Sequence, residues 1–196
     1  MASVVSSPTM RTFIGVPLPA GREMRNLLRE WAGFFARSSI KWADPAHWHL
    51  TLAFLGDTTP AQAENIGKEL SARWGNLPAF SIRLRGLGLF GGLNRPRVIW
   101  IGVDDEEGML QRLKVDADET ASRYGFEPDE RPFRPHLTLA RPRLIREKNH
   151  LRELMEKYHD HDWGDVVVKE VIFFESRLRP EGAVHLPLRK FPFRAG

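Results

Sequence analysis

Two five-residue stretches of this 196-residue chain are identical: His49-Leu50-Thr51-Leu52-Ala53 and His136-Leu137-Thr138-Leu139-Ala140. They stand 87 residues apart (136 − 49), nearly half the chain. An imidazole has a reference pKa near 6.5, so near neutral pH it can either take up a proton or give one away. In-line displacement at a phosphodiester needs both acts at once, a base on the entering side and an acid on the leaving side. Two histidines facing one phosphorus atom would supply them, with a bell-shaped pH profile. Threonine hydroxyls beside them would donate to the non-bridging oxygens, where charge grows in the transition state.

Strand geometry sorts these residues. Side chains alternate between faces, so His49 and Thr51 share one face while Leu50 and Leu52 take the other. The same holds for His136 and Thr138. The leucines are expected in the core, the histidines and threonines along a cleft. A single His-x-Thr on a strand is usually a packing or surface feature. Duplication alone could preserve Leu-Thr-Leu, a good strand former, but it would not need histidine before the strand twice.

The surrounding periodicities supply the elements that must position this pair. Residues 11–16 alternate as a short strand ended by Pro17. Met24, Leu27, Leu28, Trp31 and Phe35 form one apolar stripe of a helix over 20–37. A short strand over 40–42 and the motif strand 49–54 follow. Thr59-Pro60-x-Gln62 reads as a capping box opening a helix with Ala63, Ile66 and Leu70 on its buried face, ended at Gly75. Residues 79–89 and 97–103 are expected as strands joined across Gly91-Gly92 and Pro96. Asp104-x-x-Glu107 reads as the cap of a third helix carrying Leu110, Leu113, Ala117, Ala121 and Tyr124. The second motif gives a strand over 136–140. A fourth helix is expected near 146–158, then strands near 166–175 and 183–191.

This order mixes helices and strands without regular βαβα alternation. It predicts an α+β fold, bilobal, with two pseudo-symmetric lobes of antiparallel sheet, flanking helices and the site in the groove between them. Residues 1–10 read as a disordered leader and 11–196 as one bilobal domain. No segment reads as a linker.

Composition narrows the chemistry. There is no cysteine, which excludes disulfides, thiolate nucleophiles and cysteine zinc sites. No run approaches the roughly 20 apolar residues of a membrane span. These features suit a cytoplasmic protein without membrane attachment. The formal charge is +4, from 29 Lys+Arg against 25 Asp+Glu, which favours anionic partners as readily as it aids solubility. No basic block is present, so any nucleic-acid contact is expected to be local, at an end or a single nucleotide.

Other groups invite competing readings. His47-x-His49 and His159-Asp160-His161-Asp162 contain metal-ligating side chains, but no His-Glu-x-x-His accompanies them, and no metal or cofactor is expected. His150 and His185 read as ordinary surface or loop residues. The stretch GLGLFGG lacks the Gly-Lys-Ser/Thr of a phosphate loop. Phe13, Trp42, Phe90 and Phe133 are candidates to stack on a base, each also a candidate core residue. Arg131 and Arg134 either guide phosphates or are plain solvated charge.

In this order and at this distance, the two motifs resemble the paired His-x-Thr-x motifs of the two-histidine phosphoesterase superfamily. More closely, the chain is similar to its RNA 2′,3′-cyclic phosphodiesterases, also called 2′-5′ RNA ligases. The resemblance extends over RTFIGVPLP, Trp42 with HWHLTLAFLG, FSIRLRGLGLF with RPRVIWIGV, RPFRPHLTLAR and FFESRL. It implies metal-free hydrolysis of a terminal 2′,3′-cyclic phosphate to a 2′-phosphomonoester, on RNA 3′ ends or small cyclic nucleotides, and it implies no particular protein partner. It implies that His49 is the proton donor, His136 the proton acceptor, and Thr51, Thr138 and Arg141 the substrate-binding residues. Strict alternation sets Arg141 on the face opposite His136, so the strand must end or bulge before it, as the neighbouring Pro142 favours. Gly91-Gly92 and Asn94 depart from a more proline-rich hairpin tip, and the leader before Met10 is long for the family. Two other functions stay open: 2′-5′ RNA ligation, and an RNA-end binding module without turnover. Intact histidines and threonines favour the enzyme.

Overall fold

The computed structural model describes residues 8–179 and 182–195. Residues 1–7 of the expected leader lie outside the described residues, and Met10 is already in the first strand. The elements run β1 (Met10–Pro17), α1 (Arg22–Phe34), β2 (Ser39–Trp42), β3 (His49–Thr58), α2 (Pro60–Trp74), β4 (Phe80–Phe90) and β5 (Val98–Asp104). They continue with α3 (Met109–Ser122), β6 (His136–Leu144), α4 (Lys148–Tyr158), β7 (Asp162–Val168), β8 (Glu170–Arg179) and β9 (Gly182–Pro192). A single 3-10 turn over Pro45–His47 leads into β3.

The strands form one curled, nine-stranded sheet in the order β7-β4-β5-β6-β3-β1-β8-β9, with β2 added beside β6. All named strand pairs are antiparallel. The expected two lobes are the two halves of this sheet. They join where β3 meets β6, and that junction is a single residue pair, Leu50 with Leu137. A twofold axis through this pair exchanges β3 with β6, β1 with β5, β8 with β4 and β9 with β7. It is also written in the chain: β1-α1-β3-α2-β4 recurs as β5-α3-β6-α4-β8, each element starting 87 to 90 residues after its mate.

The helices form for the reasons their stripes suggest. In α1, Leu28 and Trp31 are buried, with Phe35 just past its end. Thr59 Oγ1 accepts from the Gln62 amide while Gln62 Oε1 accepts from the Thr59 amide, so α2 opens with the expected capping box. Ile66, Leu70 and Trp74 bury its inner face. The cap of α3 differs from expectation. Asp105, not Asp104, accepts from the amides of Met109, Leu110 and Gln111. The chain reaches that helix through Gly108 in the left-handed region, which lets the carboxylate swing over the first turn.

All these apolar faces meet the leucine face of the sheet. Leu50, Leu52, Leu137 and Leu139 share one core cluster with the inward residues of all four helices. Burying each such side chain stabilises the fold by about 1.5–3 kcal/mol. The strand expected over 166–175 is two strands, β7 and β8, parted at Lys169. The carbonyl of Lys169 turns away to accept from Phe193, so one apolar run serves opposite halves of the sheet.

Candidate active site

The face opposite the leucines carries the repeated motif. His49, Thr51, His136 and Thr138 are all half-buried there. Each imidazole is held in the same way. His49 Nδ1 lies 2.8 Å from the carbonyl of His47, and His136 Nδ1 lies 2.7 Å from that of Arg134. A carbonyl can only accept, so Nδ1 carries the hydrogen in both rings and Nε2 remains for the cleft. The register through Leu50 and Leu137 sets His49 across from Thr138 and Thr51 across from His136. Each histidine is thus the diagonal neighbour of the other on one face.

Each ring is also wedged by aromatics from the next two strands. Phe13 on β1 lies 4.8 Å from His49, and Phe174 on β8 lies 6.1 Å from it. Around His136 stand Trp100 on β5, the twofold counterpart of Phe13, at 6.2 Å, and Phe90 on β4 at 4.9 Å, edge-on, two residues beyond Gly88, which occupies the place equivalent to Phe174. Phe13, Ile172 and Phe174 form a small apolar cluster of their own beneath His49. Glycines let the strands close on this face. A Cβ on Gly15 would stand 2.8 Å from the Leu50 carbonyl and 3.5 Å from the His49 ring. One on Gly88 would fall 2.1 Å from the Trp100 ring.

Arg141 reaches the cleft because β6 bulges. Ile99 pairs with Ala140 and Trp100 with Thr138, so Leu139 is passed over. Leu139 and Ala140 are consecutively buried, and the alternation restarts with Arg141 exposed on the histidine face. The strand does not end at Pro142, which still pairs with Ile40. The bulge resolves the conflict with strict alternation. β3 bulges at the equivalent Leu52, between Ile14–Ala53 and Gly15–Thr51. There the residue returned to the cleft is Phe54, 71% exposed and 5.5 Å from Phe13.

Burial lowers the pKa of both His49 and His136, and the Arg141 charge lowers each further. The backbone carbonyls partly oppose this by holding the protonated form. His47 and His136 add their charges against His49. Each of these influences requires the groups to share one electrostatic neighbourhood.

His185 is not the plain surface residue expected. It is half-buried on β9, 5.1 Å from His49, 4.9 Å from Phe13 and 6.2 Å from His47. Burial first, then the two histidine charges, push its pKa down to about 4. Its Nδ1 is buried without a hydrogen-bond partner. Among the described residues no three potential ligands converge on a metal position. Asp160, from the His159–Asp162 run, is engaged by Arg85 at 2.7 Å. Arg131 is tied to Asp129, whose pKa the hydrogen bonds from the Arg131 side chain and amide lower to about 2.

Of the aromatics singled out in the sequence, Phe13 and Phe90 pack on the histidines. Trp42 and Phe133 pack against the main core. Phe54, Trp100 and His185 were missed. A signal for Trp100 exists: Phe13-Ile14-Gly15-Val16 and Trp100-Ile101-Gly102-Val103 stand at the same 87-residue offset as the histidines.

This fold and this site define a two-histidine phosphoesterase. Residues 14–100 and 101–185 each match the family model described as LigT like Phosphoesterase, each match containing one of the two histidine motifs. An Aquifex aeolicus protein named RNA 2′,3′-cyclic phosphodiesterase is 32% identical over 84% of this chain and 97% of its own length. An Archaeoglobus fulgidus protein of the same name is 32% identical over 93% and 99%. The crystal structure of E. coli LigT complexed with 3′-AMP superposes with a TM-score of 0.71 at 25% identity, covering 94% of this chain and 98% of that one. The chain belongs to the LigT-like phosphoesterase family and is an enzyme of that class. Among the described residues, no helix is long and apolar enough to cross a membrane.

Proposed function

We propose that the protein hydrolyses the 2′,3′-cyclic phosphate at RNA 3′ ends to a 2′-phosphomonoester. The observation that carries this reading is the pair of like-held imidazoles on one face, each with Nδ1 spent on a carbonyl and Nε2 left for chemistry. In the proposed step, neutral His136 takes a proton from water as the water oxygen bonds to phosphorus. The bond from phosphorus to the 3′ oxygen breaks, and protonated His49 gives that oxygen its proton. Each transfer is worth roughly 10²–10⁴ in rate. Thr51 and Thr138 donate to the non-bridging oxygens, and the Arg141 guanidinium neutralises the phosphate.

The relatives' names support the substrate class, and Phe54 supports a nucleotide in the cleft. An exposed ring on the cleft face is a stacking platform for a base, at a position where water would otherwise meet apolar surface. The chemistry asks nothing of a metal, since both proton transfers and the anion contacts come from side chains.

The test is product analysis on an oligoribonucleotide ending in a 2′,3′-cyclic phosphate, in excess EDTA. A 2′-monophosphate end is expected. A 3′-monophosphate would reverse the assignment of the leaving oxygen. No turnover by a protein that still binds the end would establish a binding module. A joined product with an added 5′-hydroxyl strand would show that hydroxyl taking the place of water.

A further inference from the structure

The twofold relation has one gap. The β2 strand has no mate: residues 126–129, which stand 87 positions after it, run as irregular chain. The second motif strand alone is therefore extended in its pairing, β2 following β3 along one edge of β6 while β5 holds the other. β2 is also firmly fixed there. Just before it, Arg37 donates to the buried Glu147 carboxylate from its amide at 3.2 Å and from Nε at 3.1 Å, and the Ser38 hydroxyl donates to the same carboxylate.

The register of β2 places Lys41 directly opposite Arg141, with Trp42 opposite Ala140 and Ile40 opposite Pro142. Opposed residues of an antiparallel pair share a face. Ile40 and Trp42 pack against the core, so Lys41 takes the other face, the one Arg141 shares with the histidines. Both cations are exposed. Among the described residues neither enters an ion pair.

Like charges set opposite each other on a ladder repel. Four other strand arginines are matched to carboxylates: Arg83 with Asp165, Arg85 with Asp160, Arg177 with Glu175, Arg189 with Glu64. Here two cations stand side by side with none. Such a pair is stable with an anion between or above it. β2 follows β3 along the same edge of β6, and Lys41 stands three ladder positions, about 10 Å, along that edge from His49, while the Arg141 charge reaches both imidazoles. It is out of place for the reacting phosphate and well placed for a second one.

We propose that Lys41 binds the internucleotide phosphate next to the cyclic end, so that the enzyme prefers oligonucleotide ends to cyclic mononucleotides. The inference rests on the phosphodiesterase reading for the identity of its ligand. It also gives the cleft a polarity, with Phe54 at one motif strand and the Lys41–Arg141 pair at the other.

The probes are unreactive: a trinucleotide ending in a 2′-phosphate and a nucleoside 2′-monophosphate, with dissociation constants measured by calorimetry across a salt series. The wild type is expected to bind the trinucleotide about tenfold more tightly, since one further phosphate contact is made. Lys41→Ala should remove about fivefold or more of that preference and reduce the salt slope by about 0.7, the value for one phosphate on a single strand. Lys41→Arg should keep both. A wild type without the preference, or equal weakening of the two ligands by Lys41→Ala, overturns the proposal. Lys41 is exposed, and an unchanged melting curve checks that the variant folds. Because neither probe reacts, the outcome is separate from turnover. A Lys41-dependent preference in a protein that leaves cyclic phosphates intact would keep this subsite and discard the phosphodiesterase.

Discussion

Phe54 and Arg141 occupy equivalent positions, each five residues past its histidine and each returned to the cleft by a bulge at the preceding Leu-Ala. The twofold relation thus preserves the histidine pair and differs at this next position outward. One end of the cleft is aromatic, the other cationic. A nucleotide is asymmetric in the same way, with a flat base and a charged phosphate.

The two histidines should be separately indispensable. His49→Ala and His136→Ala are each expected to lower kcat by about 10²–10⁴. Steady-state turnover of a cyclic-phosphate oligonucleotide in EDTA checks this. Full activity in both variants would refute the pair, and loss of wild-type activity in EDTA restored by a divalent ion would call for a metal.

Arg141→Ala should move the pH profile as well as weaken binding. The guanidinium lowers the pKa of both rings, so its removal raises both. The bell of kcat/KM, which in the wild type should be centred below about 6.5, then shifts to higher pH. KM for phosphate-bearing substrates should rise. An unmoved bell with unchanged KM would set the side chain outside the site.

Phe54→Ala should act on binding. Base–aromatic stacking is worth about 1–3 kcal/mol, so KM is expected to rise roughly 5- to 150-fold with kcat largely retained. The ring is 71% exposed, so thermal stability should change little. A large drop in melting temperature with normal KM would make Phe54 a packing residue.

His185 should couple stability to pH. Its folded pKa is lowered to about 4 from an ordinary value near 6.5, so the unfolded chain binds its proton more readily. Its contribution is complete above about pH 6.5 and is lost as pH falls toward 4. His185→Gln should flatten that part of the stability curve, read by denaturant melts at several pH values. Identical slopes in both proteins would contradict the burial argument.

Leu137→Ala should cost about 2–5 kcal/mol in a denaturant melt, because the side chain is 1% exposed at the one residue pair joining the half-sheets. Activity should fall further than stability alone explains, since the register that sets His136 against Thr51 runs through this residue. A variant less stable yet fully active at a temperature where it stays folded would separate the junction from the site.

Much of the site was legible because duplication writes itself into sequence. Identical pentapeptides with period-two alternation determined the two histidines, the two threonines and the leucine face beneath them. Helical stripes and the Thr59 cap determined α1 and α2, since those signals are local. Three things were decided only by tertiary structure. The bulges at Leu52 and Leu139 arise from pairing with neighbouring strands, and a bulge alters which face a residue takes without altering its type. His185 meets His49 because the curled sheet brings β9, three strands from β3 with β1 and β8 between them, over the site from 136 residues away in sequence (185 − 49). Lys41 stands beside Arg141 because β2 pairs with β6, a register that no local pattern encodes. The chain's own periodicity set what each strand offers; which strands meet, and in what register, came from closing one sheet around a shared core.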